Sequence, residues 1–457
     1  MSTDRRGAVV CVDFGSTFTK ASLVDLATGE MVGSASHPTT IETDVLDGFD
    51  ACLASLTEQD ARAQDAEVLA CSSAGGGLRI AVVGNEELVT AEAGRRVALS
   101  SGGKVVAVLS GGLDADRFVE LTDALPDVVL LVGGTDGGNS SQLTGDASFL
   151  AAACWSGPVV VAGDVEAQRE VAAALDESAT PYVLADNVVP KIGVLVAEPA
   201  RGAIREMFLA HVIGGKHLSK RTDFTAMVRG ATPDVVLTGV ELLSRGLDEE
   251  RKGAGDVVVV DVGGATTDVH SVVELDPEDS GLAREVVATT AVTRTVEGDL
   301  GMRWSAVSTV SEAGLDLADA AERRRQDPGF LPDSQAEIDV DEAIARAAIE
   351  LALKRHAGRS KVVLSPEGRV VERTGKDLRE IDLLVGSGGA LRNGADGVVR
   401  RVLLPATGEH DGGWQLPRAP RVVVDHDYVL AAAGLLAGEH PEAAYALVRT
   451  LIVRADE

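Results

Sequence analysis

Cysteine and long apolar runs are both scarce in this sequence. Only four cysteines occur among 457 residues. None forms a Cys-x-x-Cys pair, and Cys11 and Cys71 lie in apolar runs, so we expect buried thiols rather than disulfides or metal ligands. No stretch reaches the roughly 18 uninterrupted apolar residues of a membrane span. The polar start of the chain lacks the apolar core of an export signal. We therefore predict a cytoplasmic protein with no membrane partner.

Aromatic residues and positive charge are also low. Aromatic residues make up 3% of the chain, so Val, Leu and Ala must fill the cores, and a hydrophobic content of 45% favours folded domains. Lys and Arg total 42 against 71 Asp and Glu, a formal net charge of −29. Phosphates would repel such a surface, so we expect no nucleic-acid partner. We interpret the acidity mainly as an adaptation for solubility.

Motifs of several common enzyme classes are absent. The eight histidines include no His-x-x-x-His or His-Glu-x-x-His pairing, which excludes a helical zinc-protease site. No G-x-x-x-x-G-K-[ST] sequence occurs, so the chain has no Walker-type phosphate loop. His270 lies on an alternating strand, and we interpret it as a strand-face residue rather than a base.

Two Asp-Gly loops and one glycine loop are the most informative features that are present. The first Asp-Gly loop covers residues 13–20, the second covers 261–268, and the glycine loop covers 386–389. Each Asp-Gly loop follows an apolar strand-like run and precedes another strand. Glycine lets backbone N–H groups approach a phosphate closely. Three such loops in this order suggest a nucleotide clamped between two related half-domains.

The side chains in these loops fit the same interpretation. Hydroxyl groups can bind phosphate oxygens, and Lys20 can supply a compact positive charge. Asp13 and Asp261 can hold a magnesium ion, mostly through waters, and one of them can orient the water that attacks a terminal phosphate. The alternative is that the loops are ordinary turns, since Gly-Gly after a strand is a common turn signal. The combination of all three motifs favours the nucleotide site.

The three motifs resemble phosphate loop 1, phosphate loop 2 and the adenosine loop of the actin-like ATPase superfamily. The resemblance implies an α/β chain with a duplicated actin-like ATPase (ribonuclease H-like) fold, and it implies ATP and Mg²⁺ as cofactors. It makes Asp13 and Asp261 the catalytic and metal-binding candidates. The nucleotide-binding candidates are Gly15, Ser16, Thr17, Lys20, Gly263, Gly264, Thr266, Thr267, Gly386, Gly388 and Gly389.

A narrower resemblance covers nearly the whole chain. Residues 13–20, 72–78, 133–139 and 186–190 resemble the MutL (GlmL) family, which accompanies adenosylcobalamin-dependent glutamate mutase and related mutases. The name is shared with the DNA mismatch-repair MutL, which the sequence does not resemble. The resemblance implies an ATP-dependent reactivating or cofactor-loading chaperone, a slow Mg²⁺-dependent ATPase activity, and mutase subunits as partners.

Two other classes of function stay open from the residues. One is a metabolic enzyme of the same fold, either a small-molecule kinase or a hydantoinase-like ATP-dependent amidohydrolase. The other is a nucleotide-sensing scaffold that does not hydrolyse ATP. The sequence alone does not decide between hydrolysis and binding, and it identifies neither the mutase nor the oligomeric state.

Repeated β-loop-α units between the two Asp-Gly loops predict an inserted parallel α/β domain. We predict a first half of the ATPase core at 1–83, the inserted domain at 84–200, a helical connector at 201–255 and the second half at 256–457. Strand ends in the insertion carry polar residues that either cap helices or form a site or partner surface. These residues are Asp114, Asp136, Asn139 and Asp164. Asp299, in a Gly-Asp turn, is a weaker candidate for the nucleotide site or for a helix cap.

Overall fold

The computed structural model describes residues 7–274, 290–365, 368–410 and 412–456, with side chains described outside 361–374. This part of the chain divides into two compact units. Unit 1 contains residues 7–239 and 431–446, and unit 2 contains 240–274, 290–430 and 447–456.

The first sheet of unit 1 has the strand order β10-β4-β1-β2-β3. Strand β1 pairs antiparallel with β2 and parallel with β4, and β4 pairs parallel with β10. Every residue of β1 is buried, as expected for a central strand that is covered on both faces. The strands are β1 (Ala8–Phe14), β2 (Phe18–Asp25), β3 (Met31–Pro38), β4 (Glu67–Ser72) and β10 (Val228–Ala231).

The second sheet of unit 1 is entirely parallel, with the order β6-β5-β7-β8-β9. Short Val- and Leu-rich strands form its buried centre, which is typical of a parallel sheet covered by helices. This sheet confirms the predicted inserted α/β domain. The strands are β5 (Arg79–Gly84), β6 (Lys104–Ser110), β7 (Val128–Leu131), β8 (Val159–Val161) and β9 (Tyr182–Leu184).

Unit 2 contains a sheet of order β13-β12-β11-β16-β17. Its connectivity repeats that of the first sheet of unit 1: an antiparallel meander of three strands, then two strands added in parallel at the other side of the first strand. This shared topology confirms the predicted duplicated fold. The strands are β11 (Val257–Val262), β12 (Thr267–Val272), β13 (Val292–Glu297), β16 (Leu383–Ser387) and β17 (Arg421–Val424).

A separate hairpin in unit 2 joins β14 (Arg359–Ser365) and β15 (Gly368–Thr374) in antiparallel register. Apolar residues at 362–364 and 370–371, on either side of a Pro-Glu-Gly sequence, predict this hairpin, and residues 366–367 of its turn lie outside the described residues. The β-like sequence at 284–296 predicts a further strand; its residues 284–289 lie outside the described residues, and its described part includes the start of β13.

Helices cover the sheets. The α-helices are α1 (Val45–Gln59), α2 (Glu92–Ser100), α3 (Ala115–Asp123), α4 (Ser141–Ala152), α5 (Gln168–Glu177), α6 (Glu198–Met207), α7 (Ile213–Gly215), α8 (Asp223–Met227), α9 (Thr232–Arg245), α10 (Ala306–Glu312), α11 (Ala318–Gln326), α12 (Gln335–His356), α13 (Gly389–Arg392), α14 (Val429–Leu436) and α15 (Pro441–Asp456). Short 3-10 turns occur at Ala61–Asp65, Ala74–Gly76 and Leu404–Ala406, and π turns at Glu87–Ala91, Phe208–Val212 and Val399–Leu403.

Two elements differ from the sequence-based expectation. The stretch predicted as a helical connector contains β10, which completes the first sheet by pairing with β4. Strand β5 begins at Arg79, before the residue at which the insertion was predicted to start. Both elements are short apolar segments, whose partners are set by contacts distant in sequence. The domain boundaries themselves stay predictions. Within the described residues, no helix is both long and apolar enough to span a bilayer.

Candidate functional site

The first Asp-Gly loop is a tight turn between β1 and β2. The Gly15 N–H donates to the Phe18 carbonyl at 3.1 Å. A Cβ at position 15 would lie 2.6 Å from that same oxygen, so the turn requires glycine. Thr39 fixes the loop from beside it, because its N–H donates to the Thr17 carbonyl and its hydroxyl donates to the Gly15 carbonyl. Ser16 and Thr17 remain exposed at the tip.

Asp13 is the penultimate residue of β1 and is only 6% exposed. Its Oδ1 accepts a hydrogen bond of 2.7 Å from the Thr232 hydroxyl and lies 3.7 Å from the Cys71 thiol. Its Oδ2 lies 3.8 Å from Nζ of Lys20, the residue opposite it in the β1–β2 register. Burial, with the nearby Asp13 carboxylate, raises the pKa of Cys71 well above its usual range, so this thiol is a proton donor. Asp13 is therefore a buried carboxylate of defined orientation.

The second Asp-Gly loop repeats this turn between β11 and β12. The Gly263 N–H donates to the Thr266 carbonyl at 2.9 Å, the counterpart of the Gly15 bond. Two backbone bonds from the segment after β13 support the loop: Met302 N–H to the Gly263 carbonyl at 3.0 Å, and Arg303 N–H to the Gly264 carbonyl at 2.8 Å. Gly264 itself is exposed.

The charged residues of the second loop differ from those of the first. Asp261 is partly exposed, and the residue opposite it in the register is Asp268 rather than a lysine. Asp268 is bound by Arg294, with bonds of 2.6 and 3.0 Å. Thr267 is fully buried and its hydroxyl donates to the Leu300 carbonyl at 3.0 Å. This predicted phosphate ligand therefore directs its hydroxyl into the core, whereas Thr266 stays partly exposed.

The glycine loop lies directly beside the second Asp-Gly loop. Gly388 has φ +104°, and a Cβ there would overlap the Val262 carbonyl, between Asp261 and Gly263. A Cβ at Gly386 would lie 2.6 Å from a Leu403 methyl group. Gly389, in contrast, faces open space. Unit 2 thus brings two of the three predicted motifs together, while the first Asp-Gly loop belongs to unit 1.

Asp425 supports the glycine loop and was not predicted. Its N–H donates to the Gly386 carbonyl at 2.9 Å, and its buried carboxylate accepts bonds from the N–H groups of Val429 and Leu430 at the start of α14. Burial raises the pKa of Asp425, although these two backbone bonds act in the opposite direction. An Asp four residues before an Ala-rich helix was the available signal.

Thr232 was also missed. It stands at the junction of β10 and α9, a segment predicted to belong to a helical connector. The Thr-Pro pair at a helix start was visible in the sequence, but its contact with Asp13 spans 219 residues. No local pattern reports a contact of that separation.

The polar residues of the inserted domain mostly brace loops. Asp114 caps α3 by accepting from Arg117 N–H, and Asn139 accepts from Ser141 N–H at the start of α4. Asp136 and Asp164 link the loops after β7 and β8. The Asp136 carboxylate accepts a hydrogen bond from Val165 N–H, and the Asp164 carboxylate accepts one from Gly137 N–H. Helix capping therefore explains Asp114, a local turn before α4 explains Asn139, and loop bracing explains Asp136 and Asp164.

Two further candidates have structural partners. Both Asp299 carboxylate oxygens accept bonds from Arg355, at 2.6 and 2.8 Å. His270 is a buried residue of β12, as predicted, and burial lowers its pKa well below the usual range, with Arg294 adding to the effect. His270 is therefore neutral at physiological pH. Cys11, Cys52 and Cys71 are buried free thiols and Cys154 is an exposed one, which confirms the expectation for Cys11 and Cys71.

Each unit by itself offers donor groups of the kind that a magnesium–nucleotide ligand takes. Mg²⁺ takes oxygen ligands and keeps several waters, and Asp13 and Asp261 offer carboxylate oxygens at the ends of central strands. The glycines at positions 264 and 389 leave the backbone accessible. Asp13 has its Oδ1 occupied by Thr232, so Oδ2 is the oxygen directed toward Lys20 and the loop.

Two comparisons with known proteins give matches over nearly the whole chain. A family model described as MutL protein matches residues 9–452. The chain is 35% identical over 462 residues to Protein MutL from Clostridium tetanomorphum, which covers 98% of this chain and 99% of that protein.

Solved structures with lower similarity also match. One is nucleotide-free acetone carboxylase, with a TM-score of 0.38 and 14% identity over 94% of this chain and 70% of that chain. Another is the activator of the 2-hydroxyisocaproyl-CoA dehydratase from Clostridium difficile with bound ADPNP, with a TM-score of 0.31 and 10% identity over 98% of each chain.

Proposed function

The chain belongs to the MutL protein family, and on this premise we propose that it is an ATP- and Mg²⁺-dependent reactivating or cofactor-loading chaperone for an adenosylcobalamin-dependent mutase of the glutamate mutase type. The observation that carries the nucleotide part is the repeated turn. Gly15 and Gly263 make the same backbone bond, and each lies two residues after an Asp that is the penultimate residue of a central strand.

The two aspartates suit overlapping tasks. Asp13 is buried and held in one orientation by Thr232, which suits a carboxylate that would bind hydrated Mg²⁺ and orient an attacking water. Asp261 is more exposed, which suits a carboxylate that holds hydrated Mg²⁺. Lys20 and the exposed hydroxyls of Ser16 and Thr17 would bind phosphate oxygens. Bound Mg²⁺ would neutralise phosphate charge.

The chaperone part of the proposal requires coupling between nucleotide state and partner affinity. A ligand shifts an equilibrium only by its differential affinity for the two states, so the ATP and ADP forms must bind the mutase differently. The inserted domain is the natural candidate for the partner contact, because its polar strand ends brace loops and so hold a surface of defined shape.

The test is an ATPase assay of the purified chain with and without an inactivated adenosylcobalamin-dependent mutase. We expect slow Mg²⁺-dependent hydrolysis by the wild type and recovery of mutase activity only with ATP. Asp13→Asn should lower the hydrolysis rate by about 100-fold or more. Asp319→Asn, an exposed residue of α11, is the charge-matched control and should hydrolyse ATP at the wild-type rate.

Other outcomes separate the competing functions. Hydrolysis that depends on a small molecule and ignores the mutase would indicate a kinase or an amidohydrolase. ATP binding with no hydrolysis in the wild type would indicate a scaffold. Hydrolysis without any recovery of a range of cobalamin mutases would contradict the chaperone role.

A further inference from the structure

One oxygen of Asp13 is held by a residue that no motif includes. The Thr232 hydroxyl donates to Asp13 Oδ1 at 2.7 Å. The two residues do not lie on adjacent strands, because β4 separates β10 from β1 in the sheet. Thr232 therefore reaches across the end of β4 to contact the carboxylate.

The strand between them is adapted to this contact. Cys71 of β4 lies level with Asp13 on one side and with Gly230 of β10 on the other. The β10–β4 register shifts between Val228 and Gly230, and such an irregularity re-aims the chain that follows it. The Cys71 thiol lies 3.7 Å from Asp13 Oδ1, so the side chain between Thr232 and Asp13 is small and is itself a hydrogen-bond donor.

An ion cluster lies in the first turn of α9, two residues after Thr232, with Asp234 and Arg201 buried and Arg205 partly exposed. Asp234, 2% exposed, accepts a 2.6 Å bond from Arg205 and lies 3.5 Å from Arg201, both on α6. Arg201 is 4% exposed. The backbone at Gly102 packs closely against the start of α9, because a Cβ at position 102 would lie 2.6 Å from the Asp234 backbone nitrogen. A buried ion cluster resists displacement, because separating its members leaves uncompensated charge.

We propose that Thr232 is a positioning residue for Asp13, and that the Asp234–Arg205–Arg201 cluster holds Thr232 in place. This proposal rests on the proposed function, since it assigns Thr232 a role at the Mg²⁺–ATP site. With Oδ1 bound to Thr232, the carboxylate cannot rotate freely, and Oδ2 stays directed toward Lys20 and the loop. Without the hydroxyl, the two oxygens become exchangeable and the carboxylate is no longer pre-oriented.

The experiment measures how Mg²⁺ promotes binding of a fluorescent ATP analogue, alongside the ATPase rate. Thr232→Val removes the hydroxyl and keeps the shape. We expect the Mg²⁺ concentration at half-maximal binding to rise about 10- to 100-fold, as when the partner that orients a metal-binding carboxylate is lost. Thr232→Ser should show nearly the wild-type Mg²⁺ dependence, because serine keeps the hydroxyl donor.

Thr238→Val is the matched control. Thr238 is another half-buried threonine of α9, and its hydroxyl donates to the Asp234 carbonyl within the same helix. We expect wild-type Mg²⁺ dependence for this variant. Arg205→Gln should shift the Mg²⁺ dependence in the same direction as Thr232→Val but less, and the two together should give less than the sum of their effects, since both act through one contact.

The outcomes are distinguishable. If wild type shows Mg²⁺-dependent analogue binding and Thr232→Val shows the same Mg²⁺ dependence, the positioning role is wrong and the proposed function stands. If wild type binds no analogue at any Mg²⁺ concentration, the proposed function fails and the positioning role fails with it. Should Thr232→Val fold poorly in a thermal melt, Arg205→Gln decides: a raised Mg²⁺ requirement supports the proposal, and wild-type Mg²⁺ dependence overturns it.

Discussion

Replacing Gly388 by alanine tests the contact between the glycine loop and the second Asp-Gly loop. Gly388 has φ +104° and ψ 160°, a backbone conformation that is essentially restricted to glycine. An alanine Cβ would overlap the Val262 carbonyl oxygen and lie 2.9 Å from its carbon. Both partners are backbone, so neither can move aside cheaply.

The expected cost follows from these two effects. Holding a non-glycine residue in this region costs about 1–3 kcal/mol. Relief of the overlap by backbone shifts costs about 1–3 kcal/mol more, the range for overpacking in a tightly packed region. We therefore expect Gly388→Ala to lower the free energy of unfolding by about 2–6 kcal/mol. Because the strained carbonyl belongs to the residue between Asp261 and Gly263, nucleotide affinity should fall as well.

The assay is urea denaturation followed by circular dichroism, with Gly389→Ala as the matched control. Gly389 is the next residue, has an ordinary φ and has nothing within 4 Å of an added Cβ. It should change the unfolding free energy by no more than about 0.5 kcal/mol. Equal stability of the two variants would refute the argument from the close approach at Val262.

Three other predictions concern buried polar groups. Burial lowers the pKa of His270 well below its usual range and that of His356 to about 3, so the unfolded chain binds these protons first. Their contribution to stability is complete above about pH 6.5 and is lost as pH falls below it, by up to about 1.4 kcal/mol per pH unit for each histidine. In urea melts at pH 7.5 and 5.5, the free energy of unfolding should therefore fall less for His356→Gln than for the wild type. Asp425→Ala leaves two buried N–H groups without their acceptor and should cost about 1–3 kcal/mol in the same melts, whereas an unchanged midpoint would exclude the capping role. Arg324, fully buried, binds Asp341 at 2.6 Å, so Arg324→Ala should destabilise by about 3–5 kcal/mol in the same melts, and an unchanged midpoint would contradict this role.

Strand-to-loop junctions were the part of this protein most readable in its sequence. An apolar run followed by Asp and Gly indicates a buried strand that ends in a tight turn, and both Asp-Gly loops have that form. The repeated β-loop-α spacing likewise predicted the parallel sheet of the inserted domain. These features depend on local periodicity and on the conformational freedom of glycine, which neighbouring residues largely determine.

Features that depend on distant partners could not be predicted in this way. Strand β10 is four residues long and is defined by its pairing with β4. The inward direction of the Thr267 hydroxyl depends on a carbonyl 33 residues away, and no motif distinguishes Thr267 from Thr266. Support of the glycine loop by Asp425 depends equally on β17 lying beside β16.

The sequence by itself determined the residue types at the candidate site, because phosphate and magnesium chemistry requires glycine, hydroxyl groups and carboxylates in short loops. The tertiary structure alone decided how these groups are oriented. Thr232 holds one oxygen of Asp13, and Arg294 binds Asp268 opposite Asp261. Orientation depends on contacts between chain segments up to 219 residues apart. Closing such a long loop costs conformational entropy, and this cost is offset only when the whole sheet forms.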